Sequence, residues 1–242
     1  MRSLARLLLA PFRAQRQRRS QTRFYSQFVS PGDLVFDIGA NVGDRAAVFV
    51  SLGARVVAVE PSEDCASKLS RRFRDKQRVC VLPAGLAAEE GVQDLYVSSL
   101  HPLSSMSPEF MEATRRSGRF ASVEWPDVRP VPVTTLDRLI EQHGKPAFCK
   151  IDVEGYEGEV LRGLTTPVPS LSVEFICERL QATEEAVSHL EQLGSFEFNY
   201  SLRESMELAN PEWTTGVGVL QALRATCLRA GLAWGDVYAR SS

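Results

Sequence analysis

Short apolar runs alternate with helix-like patterns along the chain from residue 33 onward. The apolar runs predict strands at 34–36, 55–59, 79–82, 148–153 and 171–176. Helices are predicted between them, near 45–52, 62–73, 136–142 and 157–161. Continuous β-branched runs separated by helices are typical of a parallel sheet that is covered on both faces.

The last third of the chain extends this pattern. Thr183 is a suitable cap for a helix over 184–193, and strands are predicted at 196–200 and 236–238 around a helix near 218–230. The sequence therefore predicts a Rossmann-like α/β fold. Its doubly wound, mostly parallel sheet has about seven strands, one antiparallel strand near the C-terminus, and helices on both faces.

One less regular stretch interrupts the alternation. Residues 95–97 predict an antiparallel strand, and 99–128 predict a long loop with a short helix near 109–116. Loops of this length in compact domains are usually functional or disordered. Because nothing in 24–242 looks like a linker or an internal repeat, we predict one domain there, preceded by a basic segment, 1–23.

The segment 1–23 is rich in arginine and has no acidic residue, although the whole chain has a net charge of -2. It could be a solvated helix, a disordered tail, a mitochondrial transit peptide, or a peripheral contact with a membrane surface. The membrane interpretation rests on an apolar face formed by Leu4, Leu7, Leu8 and Phe12. The overall charge gives no reason to expect a nucleic acid partner, and no apolar run approaches the length of a membrane span.

The cysteines are scattered, odd in number and without a CxxC pair; they are Cys65, Cys80, Cys149, Cys177 and Cys227. This spacing argues against a disulfide framework or a zinc site. We expect buried, reduced thiols and a cytoplasmic protein.

Candidate chemistry begins where the first predicted strand ends. Asp37 is followed by a loop whose candidate ligand-binding residues are Gly39, Ala40, Asn41 and Gly43. Glycine lets backbone approach a ligand closely, but the spacing departs from the G-x-G-x-x-G of dinucleotide sites. Asp37 would repel a pyrophosphate and attract a cation. The loop therefore favours S-adenosylmethionine, whose sulfonium and amino groups are positive, over NAD.

The next two strand ends fit an adenosine-bearing cofactor. Glu60 follows the second strand, about 20 residues beyond the glycine loop, where an acid can bind both ribose hydroxyls. Pro61 and the small residues Ala84 and Gly85 leave room for an adenine ring.

The fourth main strand carries Lys150, Asp152 and Glu154 on one face, because side chains alternate along a strand. They could form a buried ion pair, or a polar floor under the transferred methyl group. Asp152 could bind the cofactor's amino group or a substrate hydroxyl, and Lys150 or Glu154 could help remove the hydroxyl proton. Asp152 and Glu154 could also hold Mg²⁺, but two carboxylates on one strand do not support a metal site, and none is assigned.

Four runs of sequence resemble the FkbM-type methyltransferases. They are VFDIGANVGD, VVAVEP, VPVTTLDRLI and KIDVEGYEGEVLRG, and the likeness extends over roughly residues 24–240. The resemblance implies a class I methyltransferase domain that transfers a methyl group from S-adenosylmethionine, usually to a hydroxyl oxygen. The acceptors that it implies are hydroxyls of sugars, glycans or small metabolites.

The resemblance also suggests roles for individual residues. It places Asp37, Gly39, Asn41 and Gly43 at the cofactor's amino-acid end, and Glu60 at the ribose. Asp152 and Glu154 fall at the floor of the site. It implies an acceptor-side position for the loop that contains His101, Ser104 and Ser105, and His101 is a further candidate base. It also implies a helix with Phe24 and Tyr25 before the first strand, which argues against a transit peptide cleaved near that point.

Two other functions remain open from the sequence. The first is an NAD-dependent oxidoreductase, which the missing third glycine and Asp37 disfavour. The second is a non-catalytic protein of the same fold that binds the cofactor without turnover. The sequence does not choose among the candidate bases.

Overall fold

The computed structural model of the protein describes residues 15–242, apart from the side chain of His101. Helix α1 is described from 15 to 25, and it buries Phe24 and Tyr25 against the sheet. The Tyr25 ring lies 5.7 Å from that of Phe148 in an edge-to-face contact. The predicted apolar face at Leu4, Leu7, Leu8 and Phe12 lies outside the described residues.

The main sheet has seven strands in the order β3-β2-β1-β7-β8-β10-β9. Their bounds are β1 Leu34–Ile38, β2 Arg55–Val59, β3 Val79–Leu82, β7 Phe148–Ile151, β8 Ser170–Ile176, β9 Phe196–Leu202 and β10 Trp234–Ser241. All neighbours are parallel except β10, which is antiparallel to both β8 and β9. This order confirms the Rossmann-like, mostly parallel sheet with one antiparallel strand near the C-terminus.

Helices cover both faces of the sheet. Their bounds are α2 Asp44–Ser51, α3 Glu63–Arg72, α4 Pro108–Ser117, α5 Leu136–His143, α6 Glu157–Arg162, α7 Leu180–Leu193 and α8 Gly216–Ala230. One apolar cluster joins α1, α2 and α3 to the sheet, and the other joins α5 to α8. Within residues 15–242, no helix has both the length and the apolar character needed to cross a bilayer.

Alternation along the central strand β1 explains why both faces are covered. Val35 belongs to the cluster with α1 to α3, whereas Phe36 and Ile38 belong to the opposite one. All three are at most 1% exposed, and full burial of such a side chain contributes roughly 1.5–3 kcal/mol. Asp37 shares the face of Val35, so its carboxylate is buried near the end of the strand.

The irregular stretch contains more structure than the sequence predicted. A second sheet has the order β4-β6-β5, with β4 Gly85–Leu86, β5 Gly91–Val97 and β6 Asp127–Thr134. A 3-10 helix at His101–Leu103 and helix α4 lie between β5 and β6. Strand β6 was not predicted, because Pro130 and Pro132 cannot donate ladder hydrogen bonds. This layer covers one side of the main sheet's carboxyl edge.

Thr183 does not cap the seventh helix. A 3-10 helix at Cys177–Arg179 leads directly into α7, which begins at Leu180, so Thr183 lies inside the helix and is buried.

The prediction of buried, reduced cysteines was wrong for Cys177, Cys227 and Cys80. Cys177 and Cys227 form a disulfide, with their Cα atoms 5.4 Å apart across 50 residues of chain. The fold brings the end of β8 beside the last turns of α8, which spacing along the chain cannot reveal. Cys65 and Cys149 are buried thiols, whereas Cys80 is exposed. Disulfides persist mainly in oxidising compartments, so the cysteines no longer support a cytoplasmic location.

Candidate functional site

A cleft of about 360 Å³ opens at the carboxyl edge of β1, β2 and β7. Strand β1 lies between β2 and β7, so the chain crosses from one half of the sheet to the other at this point. Ligands of doubly wound sheets bind at such a position. The cleft brings together most of the predicted residues: Asp37, Gly39, Ala40, Asn41, Glu60, Pro61, Ala84, Gly85, Ser104, Ser105, Lys150, Asp152 and Glu154.

Gly39 lets the ends of β1 and β7 meet. Its φ of 79° is in the left-handed region, and a Cβ atom there would lie 1.8 Å from the carbonyl oxygen of Asp152. Any other residue would therefore push β7 away from β1. The close contact places the Asp37 and Asp152 side chains on the wall of the same cleft.

Gly43 is the predicted cofactor residue that the structure places elsewhere. It precedes α2 as its N-cap, and a Cβ atom there would clash with Leu69 and Phe73 of the α3 region. It is absent from the described lining of the cleft. The lack of a side chain at Gly43 allows α2 to pack closely against α3.

Asp37 is 1% exposed, and one of its carboxylate oxygens, Oδ2, has no hydrogen-bond partner among residues 15–242. Burial raises the pKa of Asp37 to about 6, and the nearby positive charges of Lys150 and Arg45 only partly oppose this rise. An unsatisfied buried carboxylate is costly. A cation bound in the cleft would relieve that cost, so the residue fits a positively charged ligand.

Glu60 links the loop after β1 to the end of β2. Its Oε2 accepts a hydrogen bond from the Asn41 N–H and its Oε1 accepts one from the Ser62 N–H, both at 2.8 Å. Burial raises its pKa, while these two hydrogen bonds lower it. Each carboxylate oxygen has a second lone pair, so Glu60 can still accept hydrogen bonds from a diol such as ribose.

Lys150 and Asp152 form an ion pair at the end of β7. The distance from Lys150 Nζ to Asp152 Oδ2 is 2.5 Å, and the lysine side chain is 2% exposed, against 37% for the aspartate. Burial lowers the pKa of Lys150, but the negative charges of Asp152 and Asp236 raise it by more, so the net shift of the pKa is upward. Lys150 therefore keeps its proton, and Asp152 presents a carboxylate to the cleft.

A cluster of acids surrounds the end of this strand. Asp152, Glu154 and Glu174 each have a carboxylate oxygen within 4.8 Å of the others. Burial and the negative charge of Asp152 raise the pKa of Glu154 well above its usual value. A shared proton would relieve this repulsion, and so would a hard cation.

Side-chain hydrogen bonds hold the loop that contains Ser104 and Ser105 and the turn that contains Glu154. Ser105 Oγ donates to the Glu154 carbonyl at 2.6 Å, and Ser104 Oγ accepts from the Ser98 N–H at 3.1 Å. Glu157 Oε1 accepts hydrogen bonds from Val153 and Gly155, each at 3.1 Å. Both predicted serines thus line the cleft; Ser105 fixes the backbone that carries Glu154, whereas Ser104 fixes the backbone at Ser98. The side chain of His101 lies outside what the structure describes.

Some lining residues were not predicted. Helix α1 contributes Gln17 and Gln21, α2 contributes Arg45, and the chain after β9 contributes Glu204. Arg45 lies two residues after Gly43, in the first turn of the next helix, and this position could have indicated from the sequence that it lines the cleft. Glu204 is distant in sequence, and no pattern marks it.

A curated relative and several solved structures are similar to this chain. The hexuronic acid methyltransferase AglP of Haloferax volcanii is 30% identical over 154 residues, which cover 62% of this chain and 56% of that protein. The matched stretch thus spans little more than half the length of this relative.

Two solved structures resemble this chain weakly, at low identity. A precorrin-6y C5,15-methyltransferase from Geobacter metallireducens has 12% identity and a TM-score of 0.47, over 92% of this chain and 87% of that one. Aeropyrum pernix fibrillarin, solved with S-adenosyl-L-methionine, has 10% identity and a TM-score of 0.43, over 88% and 68% of the two chains. These likenesses are weak, and the fold assignment rests on the strand order.

The family model gives the clearest match. The model of the FkbM methyltransferase domain matches residues 37–201, from the buried carboxylate of β1 to the end of β9. This range includes the glycine loop, Glu60 and the acidic end of β7. The chain belongs to the FkbM methyltransferase family.

Proposed function

We propose that the protein transfers a methyl group from S-adenosylmethionine to a hydroxyl oxygen of a sugar, a glycan or a small metabolite. The observation that carries the proposal is the pair of buried acids at adjacent strand ends. Asp37 has an unpartnered oxygen, and Glu60 retains free lone pairs beside the same cleft. This arrangement suits a ligand that joins a cation to a diol.

The cofactor would lie along the carboxyl edge of the sheet. Its ribose would bind Glu60, and its adenine would fit between Pro61 and the small residues Ala84 and Gly85. Its amino-acid end would lie near Asp37 and Asn41. Asp37 disfavours NAD here, because a pyrophosphate would be repelled by a carboxylate that burial leaves poorly screened.

The reaction would be a direct displacement at the sulfonium methyl group. Such a step needs alignment of the acceptor oxygen, the methyl carbon and the sulfur, with water excluded. Glu154 is our preferred base, because it lines the cleft and because burial raises its pKa well above the usual value, which makes its carboxylate more basic. Lys150 stays protonated and would instead hold Asp152 in place. His101 remains a second candidate.

The acceptor class rests partly on the relative. AglP is a methyltransferase of hexuronic acid, and a carbohydrate supplies hydroxyl groups that suit a base such as Glu154. We propose a sugar or glycan hydroxyl as the first acceptor to test, ahead of other small metabolites.

A transfer assay tests this function. The protein is incubated with S-adenosylmethionine carrying a labelled methyl group and with uronic acid glycosides, neutral glycosides or hydroxylated metabolites. Mass spectrometry then locates the new methyl group. We expect an O-methylated product, and we expect Glu154→Gln to lower kcat by roughly 10²–10⁴-fold while leaving the affinity for S-adenosylhomocysteine nearly unchanged.

Glu89→Gln is the matched control, because Glu89 is an exposed carboxylate outside the described cleft lining. It should keep full activity. Binding of the cofactor without transfer to any acceptor class would favour the non-catalytic alternative. Binding of NAD alone would favour the oxidoreductase.

A further inference from the structure

The described lining of the cleft carries much more negative than positive charge. Its acidic residues are Asp37, Asp44, Glu60, Asp152, Glu154 and Glu204, whereas its basic residues are Arg45 and Lys150. The methyl donor has two cationic groups, its sulfonium and its α-ammonium, but it also has one carboxylate. That carboxylate would be repelled in this cleft unless one of the two basic residues met it.

Lys150 is already committed to another group. Its ammonium lies 2.5 Å from Asp152 Oδ2, and its side chain is 2% exposed. Moving it to a ligand carboxylate would break this ion pair inside the sheet. The remaining basic residue of the lining is Arg45.

Arg45 is held at the wall of the cleft by the fold. It lies in the first turn of α2, immediately beyond the glycine loop, and its side chain is 16% exposed. One terminal nitrogen donates to Glu204, which fixes the guanidinium, while the buried Nε–H has no partner in the described part of the chain. Arginine presents several N–H donors in a planar fork that matches a carboxylate.

The position of Arg45 also agrees with the way in which the donor would lie in the cleft. The ribose would bind Glu60 at the end of β2, where Glu60 accepts a hydrogen bond from the Asn41 N–H. Arg45 lines the cleft together with Glu204 and with Gln17 and Gln21 of α1. Asp37 lies close enough to both Lys150 and Arg45 for their charges to act on it.

We propose that Arg45 binds the α-carboxylate of the methyl donor, oriented by Glu204; this inference rests on the proposed function. Arg45 thereby sets a preference for donors and products that retain the amino-acid carboxylate. The acids of the cleft then meet the two cations of the donor, and the guanidinium meets its one anion.

Titration calorimetry with two donors tests this assignment on the full chain. The ligands are S-adenosylmethionine and its decarboxylated analogue, which lacks only the carboxylate. The wild-type protein should bind the complete donor at least tenfold more tightly. Arg45→Met should weaken binding of S-adenosylmethionine by roughly 10–100-fold and should change binding of the analogue by less than twofold.

Two further variants separate the outcomes. Arg45→Lys keeps the charge without the planar fork and should give an intermediate loss that is again confined to the complete donor. Arg74→Met, at an exposed arginine outside the described lining, should change neither affinity. Equal losses for both ligands in the Arg45 variants, or no preference of the wild-type protein for the carboxylate, would overturn the inference alone. A wild-type protein that binds neither S-adenosylmethionine nor S-adenosylhomocysteine would overturn the proposed function with it.

Discussion

Binding of a ligand in the cleft would change the ionisation of the Asp37 carboxylate. Asp37 has a pKa of about 6 because burial disfavours its charged form. Relative to the unfolded chain, the folded protein holds this proton more tightly, so the contribution of Asp37 to stability falls as the pH rises from about 4 to about 6. A bound cation would reverse this preference by favouring the ionised carboxylate.

Affinity for S-adenosylmethionine should therefore depend on pH through Asp37. As the pH rises from 5 to 7, the carboxylate of the free protein loses its proton. The dissociation constant should then fall by up to about tenfold, because at pH 5 roughly one Asp37 in ten is ionised. Calorimetric titrations across this pH range measure the effect.

Asp37→Asn removes the titrating group while keeping its size. Its affinity should be lower at pH 7, by more than tenfold, and should vary much less between pH 5 and 7. Glu89→Gln should retain the wild-type profile. An Asp37→Asn protein with the full pH dependence would show that another acid is responsible.

Most of the site residues that the sequence predicted do line the cleft, because strand-end residues follow directly from the strand pattern. Asp37, Glu60 and Asp152 could be placed in this way. Gly43 was misplaced, since a glycine with positive φ serves close packing as readily as ligand contact. Glu204 could not be found, because only the tertiary fold brings the chain after β9 to the cleft.

At the level of elements, β8 and α8 are joined covalently. The Cys177–Cys227 disulfide closes a loop of about 50 residues that includes α7 and β9. Cross-linking a loop of this size restricts the unfolded chain and stabilises the fold by about 4 kcal/mol in the chain-entropy model.

The double variant Cys177→Ser/Cys227→Ser should unfold at a melting temperature roughly 10 °C lower than the wild-type protein, given the usual relation between stability and melting temperature at this size. Adding a reductant should lower the wild-type value similarly and leave the double variant unchanged. Cys80→Ser, at an exposed thiol, should match the wild-type protein. If the reductant left the melting temperature of the wild-type protein unchanged, this result would argue against the disulfide.

Element prediction succeeded where periodicity was regular and failed where local chemistry was ambiguous. The strands around β1 and the helix over 136–142 could be predicted, since their signals are local. Strand β6 could not, because its prolines obscure the strand pattern. The early start of α7 depends on the preceding 3-10 helix, which the sequence does not mark.

At the level of the whole molecule, the strand order brings the charged residues of the cleft together. The order β3-β2-β1-β7 brings the ends of β1, β2 and β7 to one edge, and the second sheet closes the cleft from the side of β4. The alternation of strand and helix patterns made this fold class predictable, whereas the acceptor depends on loop side chains that no periodicity specifies. We propose that this edge binds a cationic, adenosine-bearing donor.

Calorimetric titration of the wild-type protein with S-adenosylmethionine, S-adenosylhomocysteine and NAD tests that claim most directly. We predict saturable binding of the first two with one site per chain, abolished or strongly weakened by Asp37→Asn, and no binding of NAD. Binding of NAD with no response to either adenosyl compound would contradict the account.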